Sequence, residues 1–220
     1  MSSQRLTDPE LPELDEGIHH LAVESDETGP LQSLALDHIL TTGGEACWVD
    51  AQGRATTTTL ARLAPDPRLL DRVHVARGFT AHQHHMLLER VKDAFSNGTT
   101  LLVCPAIDSL YRDAAHDDGG RLFESALNQL TELASQHDLT VLVTVAQEDA
   151  FTERLSKLSS HLECTRTKFG PRFIGEDFET LVYPGDGYVQ TTLAFWERVL
   201  VRRQTAHATT PAEVTARGAN

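Results

Sequence analysis

LAVESDETGPLQSLALDHILTTGGEACWVDAQG, Leu21 to Gly53, is the stretch from which the rest of the chain is read. Leu21-Ala22-Val23 is a short apolar run suited to a buried strand. The polar segment from Glu24 through Asp26 and Glu27 to Gly29-Pro30-Leu31 predicts a loop. From Gln32 to Thr42 the residues Leu34, Leu36, Ile39 and Leu40 supply a helical apolar face, and Gly43-Gly44 ends the helix. Ala46-Cys47-Trp48-Val49-Asp50 reads as a second strand, closed by Ala51-Gln52-Gly53.

The same alternation continues downstream. Thr56 to Ala64 predicts a short helix, and Leu70 to Ala76 leads into a third strand. Thr80 to Phe95 is amphipathic, with Met86, Leu87, Val91 and Phe95 expected inward. Thr99 to Cys104 is an apolar strand, and Arg112 to Arg121 a polar loop. Arg121 to His137 places Leu122, Leu127, Leu130 and Leu133 on one helical face, and Leu139 to Val145 is a valine-rich strand. Four strand–helix repeats predict an α/β fold with a mostly parallel sheet covered on both faces. Beyond it, Gln147 to Ser160 reads as a loop. Glu163 to Arg172 reads as a C-terminal antiparallel hairpin turning at Gly170-Pro171, and Thr180 to Tyr183 as a further short strand. Leu193, Trp196, Val199 and Leu200 have helical spacing, with Arg198, Arg202 and Arg203 at the basic end. The expected organisation is a flexible acidic arm over 1–13, one domain over 14–203 and a disordered tail over 204–220.

A strand, a glycine-bearing loop, a helix and a strand ending in a carboxylate is how a P-loop nucleotide-binding domain begins. The chain resembles RecA-fold proteins of the RadA/Rad51/KaiC type from about Leu11 to about Tyr188. Leu14-Asp15-Glu16-Gly17-Ile18 is similar to that family's lead-in to its P-loop strand. Cys47 to Gly53 resembles its second strand, and Val73-His74-Val75-Ala76-Arg77 followed by His82-Gln83 resembles its valine-alanine-arginine … histidine-glutamine segment. The resemblance implies a RecA-like P-loop-type fold and a place in DNA recombination or repair.

The departures from the family pattern lie at its nucleotide site. Where the family has Gly-Lys-Thr or Gly-Lys-Ser, this chain has Gly29, Pro30 and Leu31. Pro30 removes both the phosphate-gripping ammonium and a backbone N–H, and Leu31 removes the hydroxyl that holds magnesium. Glu24, Asp26 and Glu27 put carboxylates where phosphates would sit. Gln52, beside Asp50, stands in place of the catalytic glutamate and has no base to offer. Pro105 follows Leu101-Leu102-Val103-Cys104 where a metal-binding aspartate belongs, and Asp108, three residues on, is not expected to replace it. These positions (Glu24, Gly29, Pro30, Leu31, Asp50, Gln52 and Pro105) describe a degenerate site, with no cofactor expected. The implied function is that of a pseudo-ATPase acting through a protein partner, a RadA-type recombinase foremost.

Two other functions remain open at this level. Arg154 and Lys157, with Arg166, Lys168 and Arg172 on the expected hairpin, can form a single-stranded DNA surface beside Phe169 and Phe173. Alternation is expected to put Arg166 and Lys168 on one face, with Arg172 close by. An ATPase with an unconventional site, completed by a neighbouring subunit, is the third. His82, His84 and His85 read as a solvated polar face rather than metal ligands, and no metal site is expected.

Composition narrows the setting. The 32 acidic residues outnumber 19 basic ones, giving a net charge of −13, and only Lys92, Lys157 and Lys168 are lysines. Acidic, arginine-rich and lysine-poor usage fits a salt-adapted or high-GC organism; with the RadA resemblance it points to a halophilic archaeon. Neither a membrane span nor a secretory signal is apparent. Cys47, Cys104 and Cys164 lie inside expected strands at spacings that suit neither a disulfide framework nor zinc, and the cytoplasm is the expected compartment.

Overall fold

The computed structural model describes residues 11–23, 29–51, 57–114, 118–167, 170–176, 178–180 and 192–209. Seven strands form one sheet: β1 (Gly17–Val23), β2 (Glu45–Ala51), β3 (Val73–Gly78), β4 (Thr99–Cys104), β5 (Thr140–Val143), β6 (Ser160–Thr167) and β7 (Gly170–Ile174), in the order β3-β2-β4-β5-β1-β6-β7. The first six are mutually parallel and β7 pairs antiparallel with β6. The α/β architecture with a C-terminal hairpin is therefore as the strand–helix alternation predicts. Leu101 to Cys104 and Val141 to Val143 are fully buried, as strands covered on both faces must be.

Two apolar layers sandwich the sheet. On one face α1 (Pro30–Thr42), α2 (Thr57–Leu63) and α7 (Thr192–Thr209) pack around Leu34, Leu36, Ile39, Trp48 and Trp196. On the other, α3 (Ala81–Arg90), α4 (Ser109–Arg112), α5 (Asp118–His137) and α6 (Glu153–Leu158) pack around Val49, Phe123, Leu127, Leu130 and Val143. Cys47, Cys104 and Cys164 are buried in β2, β4 and β6, and no disulfide joins them. Among the described residues, no helix is long and apolar enough to cross a membrane.

Several expectations need correction. Helix α3 turns Ala81, His84 and Leu88 inward, whereas Met86, expected in the core, is 53% exposed. Thr80 fixes this phase by capping the helix through the Gln83 amide, and a 2.8 Å bond joins Nδ1 of buried His84 to the Tyr111 hydroxyl. His84 is thus a core residue and not part of a solvated face. His85 is half-buried against the Ser125 hydroxyl at 2.9 Å. The polar stretch Arg112 to Arg121 contains the end of α4 and the start of α5, and the loop Gln147 to Ser160 contains α6.

Gly170-Pro171 is not the hairpin turn. Pro171 lies within β7, opposite Arg166. An edge strand tolerates proline because its missing N–H interrupts no inner ladder. Leu11, assigned to a flexible arm, is buried in the core. At the other end α7 continues through residues 204–209, which were expected to be disordered; the Thr205 hydroxyl bonds back to the Val201 carbonyl at 3.0 Å. Residues 1–10 and 210–220, the Thr180–Tyr183 strand beyond Thr180, and Phe169 lie outside the described residues.

Helix α1 is enclosed on nearly every side, because α2 and α7 cover its outer surface. That buries Asp37, and the Arg203 guanidinium on α7 reaches across to pair with it. Burial raises the Asp37 carboxyl above its usual range, while Arg203 pulls it back down. Arg203→Met should destabilise the protein by about 3–5 kcal/mol at about pH 7.5, since it leaves a buried carboxylate without its partner. An acid with a raised folded-state pKa destabilises the fold while ionised, and that penalty fades as pH falls through the raised value. Urea denaturation should show the variant's deficit shrinking as pH falls, and Asp37→Asn in the same background should recover much of the loss at about pH 7.5.

Candidate functional site

A crevice opens at the carboxyl end of β1. The connection leaving β1 enters α1 on one face of the sheet, whereas the connection leaving its neighbour β5 enters α6 on the other. Adjacent parallel strands whose connections diverge in this way leave a gap where open α/β sheets place their ligands. Here the gap is about 550 Å³. Its walls come from the end of β1, the first turn of α1, Pro105-Ala106 after β4, Thr144 to Glu148 after β5, and Glu163 on β6.

The first turn of α1 forms one wall. Gly29 is its N-cap with φ 106°, and Pro30 occupies the first helical position without an N–H to offer. The Ser33 amide already bonds to the Gly29 carbonyl at 2.8 Å. A Cβ on Gly29 would stand 3.0 Å from the Trp196 ring and 3.2 Å from the Leu193 side chain, so α7 presses directly on this turn. Leu31 is buried in the core layer beneath. Glu24, Asp26, Glu27 and Gln52 lie outside the described residues.

The opposite wall is held by a buried carboxylate. Asp108 is fully buried; one of its oxygens accepts the Ala146 amide at 2.6 Å and the other accepts Arg112 Nε. Arg112 then makes two 2.9 Å bonds to Asp149, donates to the Gln147 carbonyl at 2.7 Å, and stacks 4.8 Å from the Phe151 ring centre. Its bonds to Asp149 raise the guanidinium pKa further, and Arg112 holds the Asp149 carboxyl below its usual range. Asp108 is therefore a clamp for the segment after β5. Asp50 is likewise taken: it is fully buried and accepts Arg77 Nε at 2.7 Å across the β2–β3 pair.

Midway along β1, level with the end of β5, lies His20, a residue that nothing in the sequence singles out. It is 4% exposed, and its Nε2 has no hydrogen-bond partner. The Glu148 carboxylate is 3.7 Å from that nitrogen, and the His161 ring sits edge-on at 5.5 Å. Burial is the largest influence and lowers the His20 pKa, with His161 in the same direction and Glu148 and Asp108 opposing. Together with Glu148 and Glu163 it gives the crevice its polar character, and no lysine or arginine stands among its described lining residues. No motif links these three residues, which reach one site only through the strand order.

No protein-family model matches this sequence, and no curated protein is similar enough to count as a relative. The chemistry of the crevice must be taken from its own residues.

Of the candidate DNA-binding residues, three are paired with carboxylates, and Arg166 and Arg172 lie on opposite faces of the hairpin. Arg154 is paired with Glu124, Lys157 with Glu153 at 2.7 Å, and Arg172 with Glu179 at 2.6 Å. The hairpin register sets Arg172 opposite Thr165 and Arg166 opposite Pro171. Directly opposed residues share a face and successive ones alternate, so Arg166 and Arg172 point to opposite sides and not to one. Lys168 lies outside the described residues. Among the described residues, no group of three or more His, Cys, Asp or Glu side chains is placed to hold a metal ion.

Replacing Arg112 tests the clamp. Arg112→Ala strands the buried Asp108 charge and should cost about 3 kcal/mol in chemical denaturation. Hydrogen exchange at the Ala146 amide should quicken more than exchange in β4. Arg112→Lys should recover little, because an ammonium cannot reach Asp108, Asp149 and the Gln147 carbonyl with one planar fork.

Proposed function

We propose that this chain is a non-catalytic, RecA/RadA-like protein in which a partner-binding crevice occupies the place of a nucleotide site. It serves recombination or repair as an accessory or regulatory factor by docking to another RecA-fold chain, a RadA-type recombinase foremost. One observation carries the reading: the helix turn at the switch-point crevice begins Gly29-Pro30-Leu31 and is faced by Glu148 and Glu163, with no cation among the described lining residues. Phosphates need N–H donors and positive charge at such a turn, and this one has a proline and carboxylates. Pro105, at the end of β4, adds no metal ligand, and Asp108 is engaged elsewhere.

Support for the RecA likeness comes from the valine-alanine-arginine … histidine-glutamine segment. Arg77 neutralises buried Asp50, and the Gln83 side chain accepts the Phe79 amide at 3.0 Å. Both residues do structural work that needs no bound nucleotide. Direct DNA binding stands behind partner docking, because Arg154, Lys157 and Arg172 each meet a carboxylate.

Calorimetric titration with ATP and magnesium should give no measurable binding, and Pro30→Lys alone should not create it, since magnesium ligands and a base would still be lacking. Micromolar, magnesium-dependent binding would overturn the pseudo-ATPase reading. For the partner, purification from native cells at high salt should recover the recombinase with this protein. Changing Glu24, Asp26 and Glu27 to lysine should abolish the association and leave the circular dichroism spectrum unaltered. A recombinase that never accompanies the unmutated protein sinks the docking hypothesis.

A further inference from the structure

The geometry points to a specific occupant of the crevice: the guanidinium of an arginine side chain presented by a partner protein, bound by Glu148, Glu163 and the Nε2 of His20. This rests on the reading of the crevice as a partner-binding site and adds the chemistry that it recognises.

Three features select that group. The rim carries two carboxylates from different segments, Glu148 after β5 and Glu163 on β6, with no described cation to neutralise them inside the crevice. The floor holds a nine-tenths-buried imidazole whose Nε2 is unpartnered, and Glu148, whose side chain is 57% exposed, lies over it at 3.7 Å. The remaining walls mix apolar Leu21, Leu31, Pro105 and Val145 with polar Gln32, Thr144 and Gln147. A guanidinium can give a forked pair of N–H groups to a carboxylate at the rim, draw Glu148 outward, and turn another N–H onto His20. Its methylene stem lies along the apolar walls. An ammonium offers one charge centre and cannot span these acceptors; an anion is repelled; and no three-ligand metal set exists among the described residues. Burial keeps His20 neutral near neutral pH, as an acceptor at Nε2 requires. The titratable groups around it are Glu148, His161 on β6 and Asp108 after β4.

The test uses the full chain, with Nα-acetyl-L-arginine methylamide as probe and its citrulline counterpart as the neutral isostere. The side-chain nitrogen resonances of His20 are followed by NMR at constant ionic strength. The arginine probe should shift the Nε2 signal saturably and the citrulline probe should not. The double variant Glu148→Gln/Glu163→Gln, which alters only rim carboxylates, should bind about tenfold more weakly with an unchanged circular dichroism spectrum. Equal shifts from both probes, no shift at His20, or undiminished binding by the double variant would overturn the assignment. If the probe binds and the recombinase never co-purifies, the site stands and that partner is wrong. If the recombinase co-purifies and the probe leaves His20 untouched, the partner stands and the guanidinium site is wrong.

Discussion

Strand β1 runs between β5 and β6 with helices over both faces, and this placement fixes where the molecule can open. Parallel strands cannot be joined by tight turns, so every connection crosses a face of the sheet through a helix. At β1 and β5 the crossings leave in opposite directions, and the backbone groups at those strand ends need partners other than a ladder. The β4 and β5 exits supply them to each other. Ala106 N donates to the Thr144 hydroxyl at 2.8 Å, Ile107 N to the Thr144 carbonyl at 2.9 Å, and Ala146 N to Asp108 at 2.6 Å. Ala106 holds a left-handed φ of 45° within this lacing, a conformation an alanine adopts at a cost of about 1–2 kcal/mol. The crevice is thus a gap with a firmly built wall.

Charge has two unequal roles in this acidic chain. Four of the described ion pairs, Arg121–Asp118, Arg154–Glu124, Lys157–Glu153 and Arg172–Glu179, join exposed side chains, where solvent screening leaves each of them weak. Arg112, Arg77 and Arg203 differ because each neutralises an aspartate inside the protein: Asp108, Asp50 and Asp37. With so few cations in the composition, three are committed to carboxylates inside the fold. Arginine suits that work, and a lysine-poor sequence loses nothing by it.

The sheet was legible in the sequence because strands buried on both faces read as unbroken apolar runs, and Leu101 to Cys104 and Val141 to Val143 are such runs. Helix phase was less so. Met86-Leu87-Leu88 offers two overlapping apolar registers, and the choice between them depends on His84 finding Tyr111, a residue 27 positions away. The hairpin turn was misplaced because Gly-Pro usually signals a turn, while an edge strand can absorb the same dipeptide. At the crevice, Gly29-Pro30-Leu31 and Pro105 could be read from order and chemistry. His20, Glu148 and Glu163 could not, since they come from three strands or strand exits with no fixed spacing. The role of Asp108 was equally hidden, because its partners Arg112 and Ala146 come together only in the fold and make it a buried acceptor that holds the segment after β5.

Gly29 bears on how chains like this one are recognised. A glycine just ahead of a helix is commonly scored as the trace of a phosphate-cradling loop. In this protein a side chain at position 29 is excluded by two other conditions, the positive φ and the Trp196 ring 3.0 Å from where a Cβ would lie. Selection acting on the seating of α7 would keep that glycine in a lineage that never met a nucleotide. A pattern search built on the loop would count a packing requirement as a binding signature. Its neighbour Pro30 is also accounted for by structure, since it is buried at the first helical position, where its fixed φ suits a helix start.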